Sequence, residues 1–196
     1  DAIDRGLAYF DFLRGPEPYK RIWAGKEDSL SDVGNEELSV ERAAFITLHA
    51  CPLGSPGQGK SGGMNVYVRQ LAAALGEMGM QIDIFTREHP DVANRIETIG
   101  SNVRVIHLTA GEPDAHVGSL YTHLPEFLDQ LNAFRDEEEL GYDVVHSHYW
   151  LSAWVGSKLS KTLEAPHVVT FHTLGLIKMQ SRAGEVEQPE RLVVEA

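Results

Sequence analysis

The chain has 196 residues, 42% of them hydrophobic, and a formal net charge of −12 at pH 7. This size and apolar content suffice for one good-sized hydrophobic core and an additional element. The acidic balance argues against nucleic acid or an anionic membrane as a partner, because both are bound by clustered Lys and Arg. We expect neither a membrane span nor a signal peptide. Since Cys51 is the only cysteine, no internal disulfide is expected, and a cytoplasmic protein is predicted.

Residues 1–42 are predicted to form an N-terminal extension and linker. Residues 26–38 are polar and rich in Ser, Asp and Glu, which is typical of a linker. The segment before them is interpreted either as a cap on the following domain or as the remnant of a neighbouring one. Residues 10–23 resemble the closing strands of a GNAT-type acyltransferase. The acyl-CoA loop of that fold is absent from the segment, so no acyltransferase activity is expected.

From residue 43 onwards, short apolar runs alternate with segments of helical spacing. The apolar runs predict strands at residues 43–48, 81–86, 103–108, 143–147 and 167–171. The helical spacing predicts helices at residues 64–78, after Pro125, at 151–163 and from Pro189. This alternation predicts an α/β domain over residues 43–196, a Rossmann-like parallel sheet with helices on both faces. Ligands of such sheets bind at the carboxyl ends of the strands.

Residues 54–61 satisfy the P-loop pattern of nucleotide-binding proteins, G-x-x-x-x-G-K-S. In an NTPase, Lys60 would bind the outer phosphates and Ser61 a magnesium ion. No other predicted strand ends in the Asp that such enzymes use to hold the metal. Residues 51–53 also separate the first strand from the first glycine of the pattern. A P-loop NTPase therefore stays as an alternative, and a plain surface loop as another.

Three longer sequence blocks indicate a different function. Residues 49–68, 142–152 and 170–175 resemble, in order and spacing, the retaining family-4 glycosyltransferases of the GT-B fold. Within that family they are similar to the inositol-phosphate N-acetylglucosaminyltransferases of mycothiol synthesis and to bacterial sucrose-phosphate-synthase-like enzymes. The resemblance implies that the chain is the N-terminal, acceptor-side domain of a GT-B enzyme, incomplete at its C-terminus. A C-terminal donor-binding domain would follow in the longer protein.

The resemblance also implies roles for individual residues. A glycine pair at the start of the predicted helix leaves its N–H groups and positive end open to a diphosphate. The donor-binding residues implied are Gly62, Gly63, Ser55 and Pro56. His172 is implied at the reacting centre as the catalytic residue. The acceptor-binding residues implied are His49, Lys60, Asn65, Tyr149, Thr173 and Arg191.

His146 and His148 lie two residues apart on a predicted strand, so their side chains leave on the same face. A metal site there is conceivable, but carboxylate or cysteine partners are lacking nearby. We predict instead that they are structural histidines, hydrogen-bonded at the sheet edge. No metal and no cofactor is predicted. The co-substrate is a nucleoside diphosphate sugar, with a UDP-sugar favoured, and the acceptor is a sugar or polyol.

The reaction that the resemblance implies is sugar transfer to a hydroxyl with retention of configuration, the activity of a retaining hexosyltransferase. The chain alone is expected to be inactive, and a non-catalytic sugar-binding module is a further alternative. The mycothiol enzymes have Asp where Lys60 stands and a phosphate-binding Lys where Tyr121 stands. Either Lys60 and Arg191 bind an acceptor phosphate, or the acceptor is not inositol phosphate; the second hypothesis is favoured.

Overall fold

The computed structural model describes residues 40–54, 62–90, 92–181 and 186–196. Its strands are β1 (Arg42–Ile46), β2 (Gln81–Arg87), β3 (Ile96–Thr98), β4 (Val103–Leu108), β5 (Val144–His148) and β6 (His167–Thr170). Its α-helices are α1 (Gly63–Glu77), α2 (Leu124–Glu137), α3 (Trp150–Leu163), α4 (Gly175–Ser181) and α5 (Pro189–Val194). Val117–His123 forms a 3₁₀ helix. Among these described helices, none combines the length and the apolar character needed to cross a membrane.

The strands form one sheet in the order β3-β4-β2-β1-β5-β6. All neighbours are parallel except β3, which runs antiparallel to β4 at the edge. The chain moves outward from β1 to β2 and β4, and then returns to the other side of β1 to form β5 and β6. The predicted fold class, a Rossmann-like α/β sheet, is confirmed.

Each face of the sheet buries its own hydrophobic core. On one face, Val68 and Ala72 of α1 pack with Phe45, Ile84 and Val105. The opposite core contains residues of β1, β2, β4, α2 and α3, including Ile46, Phe85, Ile106, Phe127, Leu131, Leu151 and Val155. The predicted cover of helices on both faces is therefore confirmed. Because both faces of the central strands are buried, their sequences are rich in apolar residues, as in residues 43–46 of β1.

Three elements were not predicted, and each lacks a periodic pattern. Strand β3 has only three residues, fewer than an alternating pattern needs. The 3₁₀ helix at Val117–His123 and the seven-residue α4 are also too short to show an apolar stripe. The predicted helices after Pro125 and from Pro189 are confirmed, each with its proline in the first turn. The extension at residues 1–39, including the stretch 10–23, lies outside the described residues.

Helix α3 lies unusually close to the sheet. A Cβ atom on Gly156 would overlap Ser147 Oγ and come within 2.5 Å of His167 Nε2. Ser147 Oγ and His167 Nε2 are 2.9 Å apart and join β5 to β6. Burial lowers the pKa of His167 to about 4, so this ring is neutral near pH 7. The absence of a side chain at Gly156 thereby lets α3 pack closely against β5 and β6.

A buried carboxylate joins the strands near their amino ends. Asp83 of β2 is only 2% exposed and accepts two hydrogen bonds from Arg104 of β4, at 2.7 and 3.0 Å. The Tyr142 hydroxyl, just before β5, donates to Asp83 at 2.9 Å, and Arg42 of β1 lies 3.4 Å away. Burial, reinforced by the Asp83 charge, raises the pKa of Tyr142 far above its usual value. This network connects four neighbouring parts of the sheet.

We predict that Asp83→Ala lowers the free energy of unfolding by about 2–4 kcal/mol, because it leaves Arg104 and Tyr142 without their buried acceptor. Urea denaturation followed by circular dichroism measures the change. Asp129→Ala is the matched control, since Asp129 is exposed on α2, and a change within about 0.5 kcal/mol is expected there. Equal losses in both variants would show that the network adds no stability.

Candidate active site

The predicted site residues that the structure describes lie around the carboxyl edge of the sheet, near the neighbouring strands β1 and β5. From β1 the chain continues to β2 on one side of the pair, and from β5 it continues to β6 on the other side. A crevice therefore opens between the loops that follow β1 and β5. His49 follows β1 and Tyr149 follows β5, and their ring centroids are 4.5 Å apart. These two aromatic side chains therefore lie together where the two loops leave the sheet.

Helix α1 begins beside this crevice with its positive end open. Gly62 is the N-cap and offers no side chain to the first turn, which also contains no acidic residue. Both Gly62 and Gly63 are exposed, and no described atom lies within 4 Å of a Cβ built on either. The first-turn N–H groups of a 15-residue helix are thus accessible to an anion. Ser55, Pro56 and Lys60, predicted with them, lie outside the described residues.

Asn65, one turn into α1, is committed to an internal contact. Its side chain is 4% exposed, and Nδ2 donates to the carbonyl of Cys51 at 2.7 Å. Its Oδ1 is buried and has no partner among the described atoms. The structure therefore assigns Asn65 a positioning role, holding the loop after β1 against α1. Its predicted contact with an acceptor hydroxyl stays a prediction.

Three predicted acceptor-binding residues come together in one hydrogen-bonded cluster. Arg191 of α5 donates to the Tyr149 hydroxyl at 3.2 Å. It also donates to the carbonyl and hydroxyl oxygens of Thr173, at 2.8 and 3.1 Å. The guanidinium lies 5.0 Å from the centroid of the Tyr149 ring. The segments after β5 and β6 and helix α5 thus converge here, and the acceptor-binding role of the three residues stays a prediction.

The charge of Arg191 is compensated inside the protein. The residue is 2% exposed, and it pairs with Glu195 at 2.6 Å and with Glu187 at 3.0 Å. Burial acts to lower the pKa of Arg191, but the bond to Glu195 and the nearby Tyr149 and Glu187 outweigh it and raise the pKa. Lys178 also pairs with Glu187, at 2.6 Å. A phosphate would have to displace a carboxylate to reach this arginine.

A row of histidines crosses the ends of β5 and β6 on the α1 face. The rings of His146 and His148 are 4.2 Å apart, and His146 Nε2 lies 2.9 Å from Thr170 Oγ1. His148 Nδ1 lies 3.3 Å from His172 Nε2. Strand β5 is interior, so these histidines lie at its carboxyl end and not at a lateral edge of the sheet. Their hydrogen bonds agree with a structural role.

His148 is the most deeply buried of the three. It is fully buried, and its Nε2 has no partner among the described atoms. Burial, followed by the proximity of His146 and His172, holds the pKa of His148 well below its usual range. A neutral His148 therefore orients His172 through a single hydrogen bond between ring nitrogens.

His172 and Tyr149 share a strained backbone. His172 has φ 61°, and Tyr149 has φ 76° and ψ 160°, a region that is nearly restricted to glycine. Tyr149 immediately follows β5, and His172 lies two residues after the end of β6. His172 is half-buried, with its ring 5.5 Å from that of Tyr67. The surrounding packing holds both side chains at the mouth of the crevice.

Tyr67, Glu187 and Glu195 belong to the site but were not predicted. Tyr67 lies one turn after Gly63 on α1, and its ring also approaches His148 at 6.0 Å. Its helical spacing indicated only a core position. Glu187 and Glu195 stand four residues before and after Arg191, the spacing at which charges pair on a helix. That spacing was the available indication of a compensated arginine.

Sequence comparison relates the chain to a known family. The profile described as glycosyl transferase 4-like domain matches residues 62–195. The chain is 40% identical over 151 residues to D-inositol 3-phosphate glycosyltransferase of Corynebacterium jeikeium (strain K411), covering 76% of this chain and 36% of that protein. The protein of the same name from Pseudarthrobacter chlorophenolicus is 36% identical over 157 residues, with 78% and 37% covered. The chain spans about a third of the length of these curated relatives.

Structural comparison supports the same family. Sucrose-phosphate synthase from Thermosynechococcus elongatus matches with a TM-score of 0.72 and 33% identity, covering 79% of this chain and 39% of that one. The predicted GT-B relationship and the predicted resemblance to family-4 glycosyltransferases are confirmed. The family profile covers more than half of the chain, including the helix start at Gly63, His172 and Arg191. The chain belongs to the glycosyl transferase 4-like domain family.

Proposed function

We propose that this chain is the acceptor-side half of a retaining glycosyltransferase. The enzyme transfers a sugar from a nucleoside diphosphate sugar, with a UDP-sugar favoured, to a hydroxyl of a sugar or polyol. One observation carries the proposal: His172, whose ring lies 5.5 Å from that of Tyr67 on α1, directly precedes Thr173 of the Tyr149–Thr173–Arg191 cluster. Family membership supports it. Cytoplasmic localisation stays a prediction.

In this mechanism, negative charge develops on the diphosphate that leaves the donor sugar. The N–H groups at Gly62 and Gly63 and the positive end of α1 stabilise that charge, and they are fixed before the reaction begins. His172 contacts the donor sugar, held in orientation by His148. Tyr149 and Thr173 orient the acceptor hydroxyl. We propose that the transfer itself needs no metal or cofactor.

The other half of the site is proposed to come from a donor-binding domain of the same protein. Large apolar side chains are strongly exposed around α4 and α5: Leu176 at 60%, Ile177 at 56%, Val186 at 87% and Val193 at 77%. Exposed apolar side chains at this density on one part of a chain indicate a surface covered by another domain. The P-loop alternative lacks comparable support, since no described strand ends in an Asp that could hold magnesium.

We predict that sugar transfer requires the second domain. The 196-residue chain alone should be folded but inactive, whereas a protein carrying this chain and a donor-binding domain should transfer radiolabelled sugar from UDP-sugar. NMR of the product should show the anomeric configuration of the donor. Transfer by the chain alone at a similar rate would contradict the proposal. Competition by ATP and not by UDP would favour the NTPase hypothesis, and sugar binding without turnover a binding module.

We predict that His172→Ala in the two-domain protein lowers kcat about 10²–10³-fold, because a contact made in the transition state is lost. The free energy of unfolding should change by less than about 1 kcal/mol, since the side chain is only half-buried. His123→Ala is the matched control, because this histidine lies just before α2. Its kcat should equal that of the unaltered protein. Normal turnover in His172→Ala would show that His172 is structural.

The charged residues of the site bear on whether the acceptor carries a phosphate group. Tyr121, at the position of a phosphate-binding lysine in the mycothiol enzymes, is uncharged and stacks on Trp150 at 5.8 Å. Arg191 is already paired with two carboxylates. The names of the relatives point to inositol 3-phosphate. We propose nevertheless an acceptor without a phosphate group, because the described residues leave no uncompensated cation beside Tyr149.

An acceptor series with a fixed donor tests this proposal in the two-domain protein. We predict that inositol 3-phosphate has no higher kcat/KM than unphosphorylated inositol or hexoses, and that Lys60→Ala changes kcat/KM less than tenfold. Lys158→Ala, which removes an exposed positive charge from α3, is the control. If inositol 3-phosphate is the best acceptor and Lys60→Ala weakens it by more than tenfold, about 1.4 kcal/mol, the acceptor is phosphorylated.

A further inference from the structure

Three metal-ligating side chains meet at the carboxyl ends of β1, β2 and β4, away from His172. Cys51 follows β1, His89 follows β2, and His107 is the penultimate residue of β4. Cys51 Sγ lies 3.4 Å from His107 Nε2. One ligand atom from each of the three residues lies within 4.8 Å of the other two. None of these side chains has a part in the proposed transfer reaction.

The ring of His107 is oriented as in metal-binding histidines. Its Nδ1 lies 3.1 Å from the carbonyl oxygen of Asn94, so the N–H on Nδ1 donates to that carbonyl. Nε2 then carries the lone pair and faces the Cys51 sulfur. Histidine ligands commonly donate their other N–H in this way, which fixes the tautomer and the ring plane.

An unpaired hydroxyl beside the cluster is a second, independent observation. Thr86 is fully buried, and its Oγ1 has no partner among the described atoms. It is the residue of β2 that pairs in register with His107. Ile82 and Ile84 belong to the core on the α1 face, so alternation places Thr86 on that face too. A buried hydroxyl without a partner is costly, and water on a bound ion would satisfy it.

We propose that Cys51, His89 and His107 bind a zinc ion, with water in the fourth position near Thr86. Tetrahedral zinc, with Zn–S about 2.3 Å and Zn–N about 2.0–2.1 Å, places ligand atoms roughly 3.3–3.6 Å apart. The Cys51–His107 separation of 3.4 Å already fits this geometry. The half-buried His89 closes the site by a shift of about 1 Å. A thiolate with two imidazoles selects zinc over magnesium or calcium.

The ion would fasten the loop that leads from β1 to α1. The Cys51 carbonyl already accepts the amide of Asn65 on α1, so a metal bond at the Cys51 sulfur would fix both ends of this contact. The ion would thus connect three strand ends and the start of the helix that faces the diphosphate.

Metal titration of the untagged 196-residue chain tests the proposal. After chelator treatment and dialysis, zinc is titrated against a competing chromophoric chelator, and cobalt is added separately to record its absorption spectrum. We expect one zinc per chain, a higher thermal midpoint with zinc, and a sulfur-to-cobalt charge-transfer band. Magnesium should produce none of these effects. Cys51→Ser and His107→Gln should each weaken zinc binding by about 100-fold or more, whereas His123→Ala should bind zinc as the unaltered chain does.

Failure to bind one zinc per chain would overturn the proposal. So would a zinc affinity of Cys51→Ser and His107→Gln equal to that of the unaltered chain. Circular dichroism shows whether each variant is folded. If a variant is unfolded, the cobalt spectrum of the unaltered chain decides, since a spectrum without the sulfur band excludes Cys51 as a ligand. The readouts are independent of sugar transfer, so they stand even if the proposed function is wrong.

Discussion

Strand β1 pairs with β2 on one side and with β5 on the other, and the candidate site depends on the second of these pairings. Residues 43–46 run parallel to residues 144–147, so the loops that leave both strands emerge side by side. This brings His49 within 4.5 Å of Tyr149, although about half of the chain separates them in sequence. The open start of α1 and the strand-end histidines are placed by the same pairing.

The two ends of the sheet have different roles: the amino ends contribute to stability, and the carboxyl ends carry the candidate site. At the amino ends, Asp83 is saturated by Arg104, Tyr142 and Arg42, and the network carries no unpaired charge. At the carboxyl ends, Tyr149 and His172 have strained backbones, and buried polar atoms such as Asn65 Oδ1 and His148 Nε2 have no hydrogen-bond partner among the described residues. Such costs are tolerated because the well-packed sheet beneath fixes the geometry. A parallel sheet suits this division, since all its parallel strands present their carboxyl ends at one edge.

The central strands could be predicted from the sequence, because parallel strands buried on both faces consist mainly of apolar residues. The resemblance to family-4 glycosyltransferases assigned roles to His172, Tyr149, Thr173 and Arg191, and the structure brings the last three into hydrogen-bonding contact, while their roles stay predictions. The compensation of Arg191 was missed, although Glu187 and Glu195 lie four residues before and after it. The Cys51–His89–His107 cluster was also missed: its members follow no metal-binding spacing and meet only once three strands are aligned.

The backbone at Tyr149, with φ 76° and ψ 160°, has a consequence for engineering. Glycine adopts this conformation freely, whereas a tyrosine there costs about 1–3 kcal/mol. A laboratory search for heat-resistant variants would therefore tolerate Tyr149→Gly, because relief of strain offsets the lost contacts to His49 and Arg191. The same exchange would empty one wall of the crevice. Selection on stability alone would thus erode the site, and a screen should couple heat resistance to turnover.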